Sequence, residues 1–434
     1  MKNPRNLAAV LLLPLVALAT GCPDNPGGPC GDVCEAGFIC DDSSATCVRP
    51  AITIWEDEPP GRGARVTVAG GRVVTVSVDP TTNSVVTGAG LRDTPFDFRA
   101  LGTVGRTAAR RVAIASSTSR LAVVWVAESG RFRVAWRETS GRHERWSVTR
   151  VDPPPGGDAY TPTEHFDIDV EDDGAVRLVF RDRNRTLRTA RHDEALGTDG
   201  WVFSTIDDGS PTSGGVTCSE REGPSSRGVG FEPDLFIRET GASVSYHDVD
   251  CGDLRVATQT ADGWTIAAVD VGDPLVVAAG GGTARVGRFS SQAWDLNGRQ
   301  HIAYHDASLG RLMLATATGS GDWEIEVVDR GVTLDVGSRE RKDVVGAFAT
   351  LSFDEQGASS ITYFDATDTA LRLTERTSTD EAWNRRVLEN AGATGFFADH
   401  VYDATVGRVA VAESLQRRDG ELVSQLLIVW EETR

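Results

Sequence analysis

An all-β fold, a β-propeller of four-stranded blades, is what the sequence predicts, and three observations predict it. First, apolar–polar alternations of strand length are divided by Gly, Asn and Asp throughout. Between Arg288 and Asp329, the runs Phe289 to Asp295, His301 to His305, Leu312 to Thr318 and Trp323 to Val328 read as four strands. Second, this module recurs. Trp146, Trp201, Trp264, Trp323 and Trp383 open the fourth strand of successive copies, 55 to 63 residues apart. An acid follows each one six residues later: Asp152, Asp207, Asp270, Asp329 and Glu389. Third strands carry Phe132/Ala135, Leu187/Ala190, Leu254/Ala257, Leu312/Ala315 and Leu371/Thr374, and second strands end Phe180-Arg-Asp182, Tyr246-His-Asp248, Tyr304-His-Asp306 and Tyr363-Phe-Asp365. Third, such a unit cannot bury both faces alone, and its links vary from about 10 to 25 residues, which suits radial stacking better than a solenoid.

Residues 1–21 read as a secretion signal. Lys2 and Arg5 precede the apolar run Leu7 to Leu18, which is short for a membrane span. The signal ends Leu18-Ala19-Thr20-Gly21-Cys22, which resembles a bacterial lipobox. That resemblance implies cleavage before Cys22, lipidation of Cys22 and a stable membrane anchor. Residues 22–50 form a Cys-rich tether with Cys30, Cys34, Cys40 and Cys47. In an exported segment these read as two disulfides, and three pairings are open. A likeness to small EGF-like knots implies 30–40 with 34–47. Residues 51–434 are assigned to the propeller.

Five blades are plain between residues 106 and 389. Two more are expected from Arg65 to Thr87 and from Val406 to Trp430, so seven blades are expected, with six as the alternative. Ala51 to Trp55 is placed as a strand that latches the last blade. The pattern Tyr-x-Asp, turn, Leu-x-x-Ala, Trp and Val-Asp resembles the sialidase-like propeller repeats of bacterial secreted and surface proteins. The resemblance implies the fold. The Asp-box Ser-x-Asp-x-Gly-x-x-Trp of that family does not occur in that form.

Formal charge is -19, and loss of Lys2 and Arg5 makes it -21. An acidic surface disfavours nucleic acid as a partner. Seven Cys less the lipidated Cys22 leave six. Cys218 and Cys251 fall on connections of one face, so they are expected to pair. The long links 153–164, 208–230 and 271–287 fall on that face too, and loops of this length often carry function. Asp182, His247, Asp248, His305, Asp306 and Asp365 gather there as a candidate ligand face. Carboxylates suit calcium and His suits zinc, and the sequence names no metal. Each Asp is equally suited to capping its own turn. No Gly-x-Ser-x-Gly occurs, Gly280-Gly281-Gly282 lacks the Lys of a phosphate loop, and no cofactor is expected. The expectation is a monomeric binding or scaffold module for protein or glycan, anchored in the cell envelope, with the outer membrane favoured. A polysaccharide hydrolase or lyase is the alternative.

Overall fold

The computed structural model describes the strands Ile39–Asp41, Thr46–Val48 and Ile52–Ile54, and residues 62–431 apart from 80, 93, 95, 106–110, 140–144, 154–159, 198–199, 211–227, 273–284, 320, 332, 337–338, 343, 379–380 and 419–420. The signal, Cys22, Cys30, Cys34 and Cys218 lie outside the described residues. In the neck, Ile39–Asp41 pairs with Thr46–Val48 so that Cys40 stands opposite Cys47 along the backbone.

Seven four-stranded antiparallel sheets form a propeller, the higher of the two expected blade numbers. Blade 1 is Arg62–Ala69, Arg72–Asp79, Ser84–Gly90 and Asp97–Thr103. Blade 2 is Val112–Ser116, Arg120–Val126, Phe132–Glu138 and Ser147–Arg150. Blades 3 to 6 open with Pro162–Val170, Phe231–Arg238, Arg288–Trp294 and Val345–Phe353. Blade 7 is Ala393–Asp403, Gly407–Arg418 and Glu421–Trp430, completed by Ile52–Ile54, with Ile52 opposite Val429. The first strand of every blade is innermost, and each packs on the next until Ala393–Asp403 meets Arg62–Ala69. The N-terminal strand therefore closes the ring as expected. No α-helix occurs among the described residues.

The apolar faces of the alternating strands have only one place to go, the gaps between blades. Each gap is filled by an apolar core, and the gap between blades 1 and 2 holds two. Phe132, Phe166 and Phe180 join blades 2 and 3. Leu187, Val244 and Tyr246 join blades 3 and 4. Val409, Trp430, Ala64 and Phe96 join blade 7 to blade 1. The recurrent tryptophans plug these gaps. Trp264, Trp323 and Trp383 each pack into the core shared with the preceding blade. Tyr160 is 1 % exposed and stacks among Phe132, Phe180 and Phe203, so it is a core residue, although its loop position suggests a ligand contact.

The recurrent tyrosines and acids are partners across those gaps. Tyr246 donates to Asp207 at 2.7 Å, Tyr304 to Asp270 at 2.5 Å and Tyr363 to Asp329 at 2.6 Å. Burial and the adjoining carboxylate push all three phenols up, so they remain donors. Each bond ties the second strand of one blade to the end of its predecessor's outer strand. Tyr304→Phe removes a hydrogen bond to a charged acceptor and should cost about 1.5–3 kcal/mol in urea unfolding. A loss below about 0.5 kcal/mol would make the pair energetically idle.

Candidate functional site: the axial channel

An innermost strand is a sheet edge, and its channel-side N–H groups have no ladder partner. Here the neighbouring blade supplies the acceptors. Asp399 accepts from Val66 N at 2.9 Å, Asp167 from Leu235 N at 2.9 Å and Asp234 from Gln292 N at 2.8 Å. Ser291 Oγ accepts from Leu351 N at 3.1 Å. These residues hold one register position. Arg65, Ala113, Asp167, Asp234, Ser291, Thr350 and Asp399 stand opposite Val76, Val124, Val179, Ser245, Ala303, Thr362 and Val411 of their own blades. One step further along, Asp169 accepts from Ile237 N at 2.8 Å.

Two residues upstream of that position, toward the face that bears the long links, the ring reads Gly63, Arg111, His165, Glu232, Phe289, Phe348 and Phe397. Bulges interrupt the first strands of blades 1 and 3 to 7 here. They turn Glu232, Phe289, Phe348 and Phe397 to φ of 51°, 51°, 53° and 53°. Such a conformation is costly for a bulky residue, by about 1–3 kcal/mol each, and such outliers cluster at ligand-binding positions. The glycine of blade 1, Gly63, adopts 65° without that cost. The three phenyl rings form an arc, with Phe289 and Phe348 4.5 Å apart and Phe348 and Phe397 4.9 Å apart. Glu232 accepts from Phe289 N at 2.8 Å and from Arg288 at 3.1 Å.

These rings enclose a cavity of about 900 Å³. Its wall is unequal round the axis. Guanidinium groups come from blades 1 and 2, carboxylates from blades 3 and 4 with Asp399 and Glu413 of blade 7, and the phenylalanine arc from blades 5 to 7. Burial pushes the carboxyls up, Asp167 to about 6 and Asp169 to about 7. Asp234 rises well above the usual range through burial and its neighbour Asp167, and burial raises Asp399. Burial brings His165 down to about 3, helped by Arg111 and Arg181, so it is neutral and accepts from Glu232 N at 3.3 Å.

A pH dependence follows with a definite sign. Asp169 has a folded value above its unfolded one. Its contribution to stability is full below about pH 4 and is lost as pH rises through about 7. His165 and His400, both brought down to about 3, act oppositely and lose stability as pH falls below about 6.5. Asp169→Asn keeps an acceptor for Ile237 N and removes one titration. Relative to the wild type it should gain stability between pH 5 and 8, at about 1.4 kcal/mol per pK unit, read from melting curves across that range. A constant difference across the range would contradict the assignment.

The residues singled out from sequence stand elsewhere on the same face. Each Asp is in its own turn. Asp182 accepts from Thr186 N, Asp248 from Asp250 N and Cys251 N, Asp306 from Ser308 N and Leu309 N, and Asp365 from Thr367 N and Asp368 N. Three of the four also hold an arginine of the following strand, Arg188 at 2.8 Å, Arg255 at 3.0 Å and Arg372 at 2.7 Å. His305 is buried and donates through Nδ1 to the Val345 carbonyl at 2.9 Å. His247 is buried beside the Val286 carbonyl in the corresponding place. Neither histidine lines the cavity, and neither does any of these four aspartates. Asp248, Cys251 and Asp253 converge within 4.8 Å, but Cys251 is disulfide-bonded and the Arg255 guanidinium sits among them.

The cavity residues escaped sequence inspection. Their one local sign is the run Phe166-Asp167-Ile168-Asp169-Val170, whose acids fall on the face away from the interblade core.

No protein-family model matches the chain, and no curated protein matches it. Solved structures do. A lectin from Burkholderia pseudomallei superposes with a TM-score of 0.56 at 15 % identity, covering 85 % of this chain and 96 % of that one. AofleA from Arthrobotrys oligospora gives 0.47 at 10 % identity, covering 80 % and 91 %. A mutant α-L-arabinofuranosidase from Fusarium graminearum gives 0.45 at 12 %, covering 74 % and 92 %. At such identities the likeness to the first is one of fold.

Proposed function

We propose that this chain is a lipid-anchored envelope protein whose propeller binds a glycan at the axial cavity. The observation that carries the reading is the unequal wall of that cavity. A sugar has apolar ring faces and a girdle of hydroxyls. The strained phenylalanine arc offers a stacking surface for the first, and the carboxylates and arginines opposite it offer partners for the second. The lectin that shares the fold is in keeping with this reading. The anchor rests on the Cys22 motif, and the oxidising compartment it implies accords with a Cys218–Cys251 pair. The outer membrane is the favoured location.

Hydrolysis is the second reading, favoured by one observation. Asp169, at about 7, is a carboxyl still partly protonated at neutral pH, as a general acid must be. Its oxygens are engaged by Ile237 N and Val170 N, however, which makes it a structural acceptor. A glycan array and a panel of chromogenic glycosides separate the two. Retention without turnover, lost in Phe348→Ala, supports binding. Turnover abolished by one acid substitution in the cavity would replace it with catalysis. Palmitate incorporation should be lost in Cys22→Ala, and labelling that persists would remove the anchor from the proposal.

A further inference from the structure

The charges of the axial cavity are unevenly placed, with both arginines on adjacent blades 1 and 2 and the acids on blades 3, 4 and 7. Arg65 and Arg111 come from adjacent blades, and each feels the other's charge. Neither guanidinium makes a hydrogen bond or an ion pair among the described residues. Asp167 and Asp234 also come from adjacent blades, and Asp167 adds to the burial that raises Asp234; each has an oxygen committed to a backbone amide of the next blade. The two sectors attract across the cavity without touching. Grouping like charges costs Coulomb energy that interleaving them would have relieved. The third sector is the phenylalanine arc.

We propose that the ligand of this cavity carries both charges on one sugar: a zwitterionic glycan unit, with an amine on the Asp167–Asp234 side and a carboxylate on the Arg65–Arg111 side. The inference rests on the glycan reading above and narrows it. A neutral sugar would leave both sectors uncompensated. A purely acidic sugar would meet the further carboxylates that line the cavity, Asp169 and Glu164 from blade 3, Glu232 from blade 4, and Asp399 and Glu413 from blade 7. A purely basic sugar would be set against two arginines. A unit with both charges satisfies each sector and leaves its ring face for Phe289, Phe348 and Phe397.

Four sugars of one ring size form the test: glucose, glucosamine, glucuronic acid, and muramic acid, which bears an amine and a lactyl carboxylate on one hexose. Titration calorimetry on the full propeller at pH 7.5 should show muramic acid binding about tenfold or more tighter than either singly charged sugar. Arg111→Gln should bring muramic acid down to glucosamine, and Asp234→Asn should bring it down to glucuronic acid. Asn keeps the acceptor for Gln292 N. If that variant melts early, the Arg111→Gln arm decides alone. Equal binding of glucose and muramic acid, or variants indistinguishable from wild type, would overturn the inference and leave the glycan reading standing. No binding of any of the four, with an empty glycan array, would overturn both.

Discussion

Gly287→Val should destabilise the propeller by about 3 kcal/mol or more, combining left-handed backbone strain with overpacking. Gly287 has φ +88°, and a Cβ there would lie 2.6 Å from the Leu254 Cα of the preceding blade. Backbone cannot step aside as a side-chain tip can. Gly230, Gly346 and Gly395 repeat the contact, at φ +81°, +95° and +116°, against Leu187, Leu312 and Leu371. These are the leucines that recur at the head of the third strand. The first strands of blades 4 to 7 can lie close to the previous blade because a glycine stands at or just before the start of each. Gly319→Ala separates the two causes. Gly319 has φ +86° with nothing within 4 Å, so only the strain, about 1–2 kcal/mol, should appear. Denaturant midpoints measure both. A Gly287→Val protein as stable as the Gly319→Ala one would refute the packing argument.

Arg255→Met should cost about 3–5 kcal/mol, since it leaves a buried carboxylate without its cation. Arg255 and Asp248 are both fully buried, with Nε 3.0 Å from the carboxylate. The protein contains its own control. In blade 5 the same position is Met313, below Asp306, so the methionine shape fits the fold. Asp306 is held above the usual carboxylate range, chiefly by burial. The cost in blade 4 is therefore expected to be electrostatic. Arg255→Met with Asp248→Asn should cost less than the sum of the single changes. Strict additivity in urea unfolding would show that the two groups act independently.

Much of the fold was legible because the repeat is written in large side chains. Trp201 and its counterparts, Tyr304, Asp270 and Leu254 are visible one by one. Their purpose is relational, and Tyr304 and Leu254 meet Asp270 and Gly287 of a neighbouring blade about 34 residues away. Sequence therefore showed that tyrosine and acid recur, and the structure shows that they bond to each other. The glycines were overlooked because they stand where link meets strand, Gly230 and Gly287 just before it and Gly346 and Gly395 within its first three residues. The cavity was illegible for a different reason. Asp167, Asp234 and Asp399 face away from the interblade core, where a strand ordinarily meets water. Only closure of the ring makes that face an interior. Asp182, Asp248, Asp306 and Asp365 were conspicuous because their role is local, and a turn cap can be read from four residues.

The strand Ile52–Ile54 is held to blade 7 at three positions, opposite Val429, Ile428 and Leu427. Everything N-terminal to it, the proposed anchor included, adjoins the ring at that short ladder. If the chain is tethered as proposed, tension falls first on this three-residue ladder, while the other six blades are each sewn from continuous chain. A steady pull would unzip the seam first and leave blade 7 with three strands. The propeller would then yield at its clasp before any blade is torn from its neighbour, which makes this seam a mechanical fuse under the proposed tethering.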